Sequence, residues 1–324
     1  MKVFITQNIE PEAITLIEKA GFTAITSGVD RPLKRNEFLD AIKDVDAIIH
    51  VWHTERSDVE AINAAPKLKI IARRGVGYDN IDVKAAKERG IYVTVSPVHT
   101  NTIADLTFGL LLNAARRIPQ ADAFVRSGEW CNEKTGNYVA RRFEGFDVHH
   151  KVIGIIGFGR IGKHIAKRAQ GFDMRVLYYD VLRQSQAERE LNVEYRDFNE
   201  LIAESDFISI NCALTNETKG LINRDVINQM KRNAIIVSTA RGGIIDETAL
   251  YEALREKRIG GAGLDVFDPE PILPDNPLLK LDNIVFSPHL GTSVHESRVL
   301  LATTAAEEVI RVLTGQEPLY PIIV

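Results

Sequence analysis

Cysteine is nearly missing from this chain: Cys131 and Cys212 are the only two in 324 residues. Two cysteines build neither a disulfide framework nor a cysteine-rich metal centre, so no metal site is expected and a reducing, cytoplasmic setting fits best. No apolar run approaches the roughly 18 residues of a membrane span. The opening residues 1–8 turn polar too soon for a signal peptide, so no membrane association is expected. A charge excess is also missing. The net charge is −4 and the pI about 6.1, and basic pairs such as Arg73-Arg74 and Arg116-Arg117 are scattered. Nothing here predicts a nucleic-acid partner. Low-complexity tracts and internal repeats are absent beyond a recurring strand–helix alternation.

What is present is ordinary globular composition, 45% hydrophobic and 26% charged, over a length suited to about two domains. Short apolar runs at residues 3–6, 22–25, 47–51, 69–72 and 91–94 read as strands. Helical patterns at 35–42, 58–64 and 83–89 lie between them, and Pro11 suits a helix start. A second alternating unit has strands at 152–156, 174–179, 207–211, 234–238, 261–266 and 284–287, with Asn223 and Asp246 as helix N-caps. This alternation predicts an α/β protein with parallel sheets. The stretch 102–117 is apolar around most of its circumference, which predicts a helix buried between domains or subunits. A last helical pattern, 296–313, is expected to return to the first domain and make it discontinuous.

The strand at 152–156 runs into Gly157-Phe158-Gly159-Arg160-Ile161-Gly162. Gly157 allows a tight turn, Gly159 lets backbone approach a pyrophosphate, and Gly162 lets helix pack on strand. The following helix presents its first N–H groups, at Arg160 and Ile161, to the phosphates. Asp180 lies 18 residues past the last glycine, near the spacing of an acid that binds the adenosine ribose. A carboxylate there repels a 2′-phosphate, so NAD is favoured over NADP, although Arg183 stands close by in sequence. The other reading of this segment is a plain strand–turn–helix with no ligand.

Beyond the fingerprint come three chemically apt residues in order. Arg241, in Ala240-Arg241-Gly242, follows a strand, where open α/β sheets bind ligands. Its fork-shaped cation suits a carboxylate and an adjacent carbonyl. Glu270 sits in Asp268-Pro269-Glu270-Pro271, and His289 follows Pro288. Histidine titrates near neutrality, and an ionised carboxylate beside it stabilises the imidazolium. Asp265, at a strand end, suits either a contact with the cofactor, a tuning of His289, or a cap. Arg241, Glu270 and His289 are the expected catalytic residues.

Together these residues resemble the D-isomer-specific 2-hydroxyacid dehydrogenase family, particularly its glyoxylate/hydroxypyruvate reductase-like members. The segment from Arg73 to Asp82 (Arg-Arg-Gly-Val-Gly-Tyr-Asp-Asn-Ile-Asp) and the segment from Thr100 to Asp105 are also similar to that family. The resemblance implies two parallel-sheet domains: a Rossmann NAD-binding domain over 100–292, and a flavodoxin-like substrate domain made of 1–99 and 293–324. It implies NAD contacts at Thr100, Asp180, Cys212, Ala240 and Asp265 besides the glycine loop. Substrate would be bound by the Val76 and Gly77 backbone, Arg241 and His289, with Trp52 and His53 shaping the pocket. A homodimer is also implied, with 102–117 near the subunit contact and Trp130 reaching the partner's active site. Two positions depart from the family pattern. Cys212-Ala213 replaces a residue-plus-proline on the adenine side. Arg74 stands where a small or neutral residue is usual; it reads as pointing to solvent, or as recognising a second anionic group.

The expected activity is hydride transfer between NAD(H) and a small 2-oxo or D-2-hydroxy acid. Two alternatives share many of these residues: an NAD-sensing binding protein related to corepressors, and a phosphoglycerate dehydrogenase-like enzyme. Formate dehydrogenase is disfavoured, because its motif has glutamine where this chain has Glu270.

Overall fold

The computed structural model describes residues 1–29, 31–52, 54–131 and 139–323, with backbone only at 139 and 140. The chain divides into two compact units, residues 1–99 with 292–324, and residues 100–291.

The first unit is built on five parallel strands, β1 (Lys2–Ile5), β2 (Thr23–Thr26), β3 (Ala47–His50), β4 (Ile70–Arg73) and β5 (Tyr92–Thr94). Their order, β2-β1-β3-β4-β5, is the flavodoxin-like one. Every residue of β3 and β4 is buried, as expected of strands covered by helices on both faces. Asp58 and Asp82 start two of those helices by accepting hydrogen bonds from the Ala61 and Ala85 amides. The long helix His295–Leu313 belongs to this unit. Its Ala302, Ala305 and Val309 pack in one cluster with Val3, Ile5, Ile49 and Ile70.

β3 ends in a wholly buried histidine. His50 Nε2 lies 2.8 Å from Ser57 Oγ, and the ring tilts against Phe38 with centroids 5.6 Å apart. Burial, reinforced by the Arg73 cation, pulls this imidazole down to about 3. The unfolded chain, with an ordinary histidine near 6.5, takes up a proton that the folded chain refuses. Stability from this site is therefore complete above about pH 6.5 and declines toward pH 3, by about 1.4 kcal/mol per pH unit. His50→Gln, which can still reach Ser57, is expected to flatten that decline. Denaturant titrations at pH 7, 6 and 5 measure it, and parallel slopes for both proteins would remove His50 as the cause.

The second unit carries seven parallel strands: β6 (Val152–Ile156), β7 (Arg175–Tyr179), β8 (Glu194–Tyr195), β9 (Phe207–Ile210), β10 (Ile235–Ser238), β11 (Gly261–Leu264) and β12 (Ile284–Phe286). The order β12-β11-β10-β9-β6-β7-β8 is the Rossmann arrangement, with its switch point between β6 and β9. The helix Thr100–Arg116 lies across β10, β11 and β12 of this same sheet. Its Phe108, Leu110 and Leu111 are buried in a cluster with Ile153, Phe207 and Val237. Close approach is possible because β11 is glycine-rich: a Cβ on Gly263 would stand 3.0 Å from Leu110 Cβ. The apolar circumference of 102–117 is thus accounted for largely within its own unit. Several short elements escape a reading by periodicity, among them Ile118–Arg126, Ser185–Leu191, Phe198–Glu204 and the two-residue β8. Among the described residues no helix is long and apolar enough to cross a membrane.

Candidate active site

The glycine fingerprint forms the turn between β6 and the helix Arg160–Gln170. Gly157 has φ +88°, and a Cβ there would come within 2.6 Å of the Cys212 amide nitrogen. Only glycine fits both the conformation and the contact. A Cβ on Gly162 would stand 2.6 Å from the Gly157 carbonyl oxygen, whereas Gly159 faces open space. The turn thus leaves the Gly159 side unobstructed at the start of an 11-residue helix. That geometry suits a pyrophosphate on N–H groups at the positive end of the helix dipole. A recess of about 630 Å³ brings Thr100 and Arg160 together with Lys163, His164, Gln184 and Ser185. Its cationic character is felt by His164, which burial and then Lys167 and Arg168 hold below its ordinary value.

Asp180 follows β7. Its carboxylate accepts 2.7 Å from the Phe158 amide and 3.1 Å from the Leu182 amide. The predicted ribose acid is therefore fixed directly to the glycine loop. Cys212 sits against that loop from the end of β9, and burial pushes its thiol up to about 11, so it is a neutral contact surface. Glycine loop, helix start and Asp180 together fit a dinucleotide.

Three turns, after β10, β11 and β12, carry the remaining chemistry. After β10, the half-buried Arg241 donates from a terminal guanidinium nitrogen to the Ala240 carbonyl at 2.8 Å. The neighbouring glycine is required here, since a Cβ on Gly242 would overlap the Phe267 carbonyl. After β11, Glu270 lies between two cis X-Pro bonds and accepts 2.9 Å from the Phe267 amide through Oε1. Its Oε2 lies 2.7 Å from His289 Nδ1. The glutamate side chain is 19% exposed and the histidine 32%. His289 takes the left-handed conformation, φ +54°, uncommon for a residue with a side chain.

Asp265 shows how that conformation is held. Its carboxylate, 1% exposed, accepts from the Ser287 hydroxyl at 2.5 Å and from the Leu290 and Gly291 amides at 2.7 and 3.0 Å. Its own carbonyl accepts from the His289 amide at 2.9 Å. Burial pushes this carboxyl above its ordinary value against the pull of those donors. The Asp265 carboxylate thus braces the turn that presents His289.

The residues of the first unit expected at the substrate follow β4. Arg73, buried, donates through Nε to the Gly77 carbonyl at 2.8 Å, and through one terminal nitrogen to the His50 and Val51 carbonyls at 3.0 and 2.9 Å. The loop bearing Val76 and Gly77 is further pinned by the Ser96 amide, which donates to the Gly75 carbonyl at 2.8 Å. Val76 and Gly77 themselves are half-buried. Trp52 is 45% exposed; His53 lies outside the described residues. The expectation that Arg74 points to solvent is overturned. Its side chain is 7% exposed and donates 3.1 Å to Glu10 Oε1. Arg298 donates to the same oxygen at 2.7 Å. Burial by itself would raise the Glu10 carboxyl, yet the two guanidinium groups hold it below its ordinary value. Arg74 is thus paired inside the protein rather than directed to solvent. Arg73 and Glu10 were passed over in the sequence; the available sign was a pair of arginines directly after the apolar run Ile70-Ile71-Ala72.

Comparison with known proteins places this geometry in context. Residues 108–291 match the model of the D-isomer specific 2-hydroxyacid dehydrogenase NAD binding domain. The chain is 45% identical over 318 residues to a glyoxylate reductase of Korarchaeum cryptofilum, covering 98% of this chain and 94% of that one. It is 42% identical over 318 residues to a D-3-phosphoglycerate dehydrogenase of Methanocaldococcus jannaschii, covering 98% of this chain but 58% of that protein. A crystal structure of a glyoxylate reductase from Paecilomyes thermophila superposes with a TM-score of 0.87 at 30% identity, over 99% of this chain and 98% of that one.

Proposed function

The chain belongs to the D-isomer-specific 2-hydroxyacid dehydrogenases, NAD-binding oxidoreductases that act on CH–OH donors, and from that premise we propose that it reduces glyoxylate or a close 2-oxo acid. The observation that carries this reading is the 2.7 Å contact of His289 Nδ1 with Glu270 Oε2, set at the strand ends of the sheet that bears the glycine fingerprint. With Nδ1 engaged by a carboxylate, the ring is oriented so that Nε2 is the nitrogen that gives or takes the substrate proton. Glu270 is itself fixed by the Phe267 amide, so the imidazolium keeps a compensating charge as it forms.

When bound, NAD(H) supplies or accepts the hydride. The Gly157–Gly162 turn with Arg160, Ile161 and Asp180 would hold it, with Thr100, Cys212 and Ala240 at its margins. Arg241 would bind the substrate carboxylate and balance the negative charge that grows on the carbonyl oxygen. We assign Asp265 a positioning role through the His289 turn rather than a cofactor contact. On the first unit, the Val76 and Gly77 amides would recognise a carboxylate, with Trp52 and His53 as selectivity residues. In domain terms, residues 100–291 would serve the cofactor, and residues 1–99 with 292–324 the substrate. Ile118, Val125 and Trp130 are 46, 49 and 55% exposed, which supports a homodimer formed through that segment. Light scattering on the purified protein tests it. A cytoplasmic location accords with the two free cysteines.

The test of function is initial rates with NADH and NADPH over glyoxylate, hydroxypyruvate, pyruvate, phenylpyruvate, 2-ketogluconate and 3-phosphohydroxypyruvate. Glyoxylate and hydroxypyruvate are expected to lead. The buried Glu10–Arg74 pair speaks against Arg74 as a receptor for a phosphorylated substrate, so a lead by 3-phosphohydroxypyruvate would displace this reading. No turnover of any oxo acid, with NADH bound, would favour the NAD-sensing alternative.

Cofactor preference is expected to follow Asp180. Asp180→Asn removes the charge and keeps one oxygen for the Phe158 amide. It should narrow the preference for NADH over NADPH by about 10-fold, the scale of one charge-assisted contact. Dissociation constants for both nucleotides measure it, and an unaltered ratio would remove Asp180 as the discriminating acid.

A further inference from the structure

The segment after β7 contains a cation that a 2′-phosphate would ordinarily attract. Arg183 lies three residues past Asp180, near the edge where the adenosine ribose is expected. Its guanidinium is instead turned onto the helix Ser185–Leu191. Nε donates to Glu188 Oε1 at 2.9 Å, and a terminal nitrogen donates to Oε2 at 3.0 Å. The same guanidinium stands over the Tyr195 ring, 5.4 Å from its centroid.

An exposed ion pair is usually a weak restraint. This one has features that make it a firm one. It is bidentate, which fixes orientation as well as distance. Glu188 is only 17% exposed, although Arg183 is 62% exposed. Glu188 Oε1 also accepts 2.7 Å from the Tyr178 hydroxyl, and the Tyr178 ring is fully buried and stacked on Phe158. The acceptor end is thus anchored in the core. The loop between is wired at both ends to the glycine turn. Asp180 accepts from the Phe158 amide, and Gln184 Nε2 donates to the Phe158 carbonyl at 2.9 Å. The Gln184 amide donates in turn to the Tyr178 hydroxyl at 2.9 Å. The Arg183 and Tyr178 donors also hold the Glu188 carboxyl down at about 2, so the pair stays charged throughout the neutral range.

We propose that Glu188 is a specificity-determining residue for the cofactor: by holding Arg183 in this bidentate pair it withholds a guanidinium close to Asp180 that could receive a 2′-phosphate. The inference rests on the reading of Asp180 as the ribose acid, and it divides the discrimination in two. Asp180 repels the phosphate directly. Glu188 occupies the cation that would otherwise attract it. Glu188 acts through Arg183 and is a positioning residue.

The test is a set of dissociation constants for NADH and NADPH, read by calorimetry without turnover. Glu188→Gln keeps the shape of the side chain and removes its charge. In the Asp180→Asn background it is expected to move the NADPH-to-NADH affinity ratio about 10-fold further toward NADPH, the worth of one charge-assisted contact. Adding Arg183→Ala should cancel that gain, and Glu188→Asp should give a smaller gain than Glu188→Gln. A ratio unmoved by Glu188→Gln, or a gain that survives Arg183→Ala, overturns the proposal. Should Glu188→Gln fail to fold, Arg183→Ala in the Asp180→Asn background decides. A sequestered arginine predicts less than a twofold change in NADPH affinity, and a 10-fold loss overturns it. Failure of the Asp180 reading shows separately, as a ratio that Asp180→Asn alone leaves unaltered.

Discussion

His289→Ala is expected to lower kcat for oxo-acid reduction by about 100-fold or more, the range that positioned acid–base groups supply. In the proposed mechanism the proton needed at the substrate oxygen would come from the imidazole whose Nδ1 is held 2.7 Å from Glu270 Oε2. Removing the ring takes away the donor. The glycine turn and Asp180 remain, and so NADH binding should be largely kept. Stopped-flow or steady-state rates, with NADH titrated separately, measure the two quantities. A variant that binds NADH and turns over near the original rate would eliminate His289 as the acid. Glu270→Gln gives a graded counterpart. It preserves an acceptor for the Phe267 amide but removes the charge opposite the imidazolium. Its kcat should therefore fall between those of the original enzyme and His289→Ala.

The structure also bears on why the histidine is so well held. Its φ of +54° costs free energy unless the surroundings enforce it, on the order of 1 kcal/mol or more. The Asp265 carboxylate supplies that enforcement through Ser287, Leu290 and Gly291. A cap was one reading of Asp265, but the left-handed turn it holds was not legible in the sequence. Asp265 and His289 are 24 residues apart, and a left-handed histidine has no pattern of its own. The glycine turn was legible for the opposite reason. Its demands show in residue type: a positive φ and a close backbone contact at Gly157, and a packed backbone at Gly162. Both require the smallest residue, and glycine at those spacings announces them.

Charged groups divide along the same line. The buried strand that precedes Arg241 could be read from its apolar run. The burial of Arg74 could not, because it depends on Glu10, 64 residues earlier, which also meets Arg298 at the far end of the chain. Arg183 and Glu188 stand five residues apart, yet their pairing needed the Tyr178 hydroxyl and the fold of a seven-residue helix, which periodicity did not detect. Regular strands and glycine turns were therefore recoverable from sequence. The Glu270–His289 pair was also anticipated, whereas the Glu10 pairs with Arg74 and Arg298 were not.

The other large effect is expected at Arg241. Arg241→Ala should lower kcat/KM by about 1,000-fold, at the upper end of losing a donor to a developing oxyanion. Two functions would be lost together. A carboxylate loses its fork-shaped partner, which raises KM. The carbonyl oxygen loses the cation that offsets its growing charge, which lowers kcat. The Ala240 carbonyl holds the guanidinium at 2.8 Å, and the Gly242 contact with Phe267 fixes the turn from which it projects. Arg241→Lys separates the two roles. An ammonium retains charge without the planar fork, so it should recover part of the kcat loss while KM stays high. The measurement is the split of kcat and KM for both variants on glyoxylate, with NADH affinity as the control for folding. A kcat/KM for Arg241→Ala within threefold of the original would show that this arginine neither binds the carboxylate nor stabilises the oxygen. Equal values of kcat for the alanine and lysine variants would confine it to carboxylate binding alone.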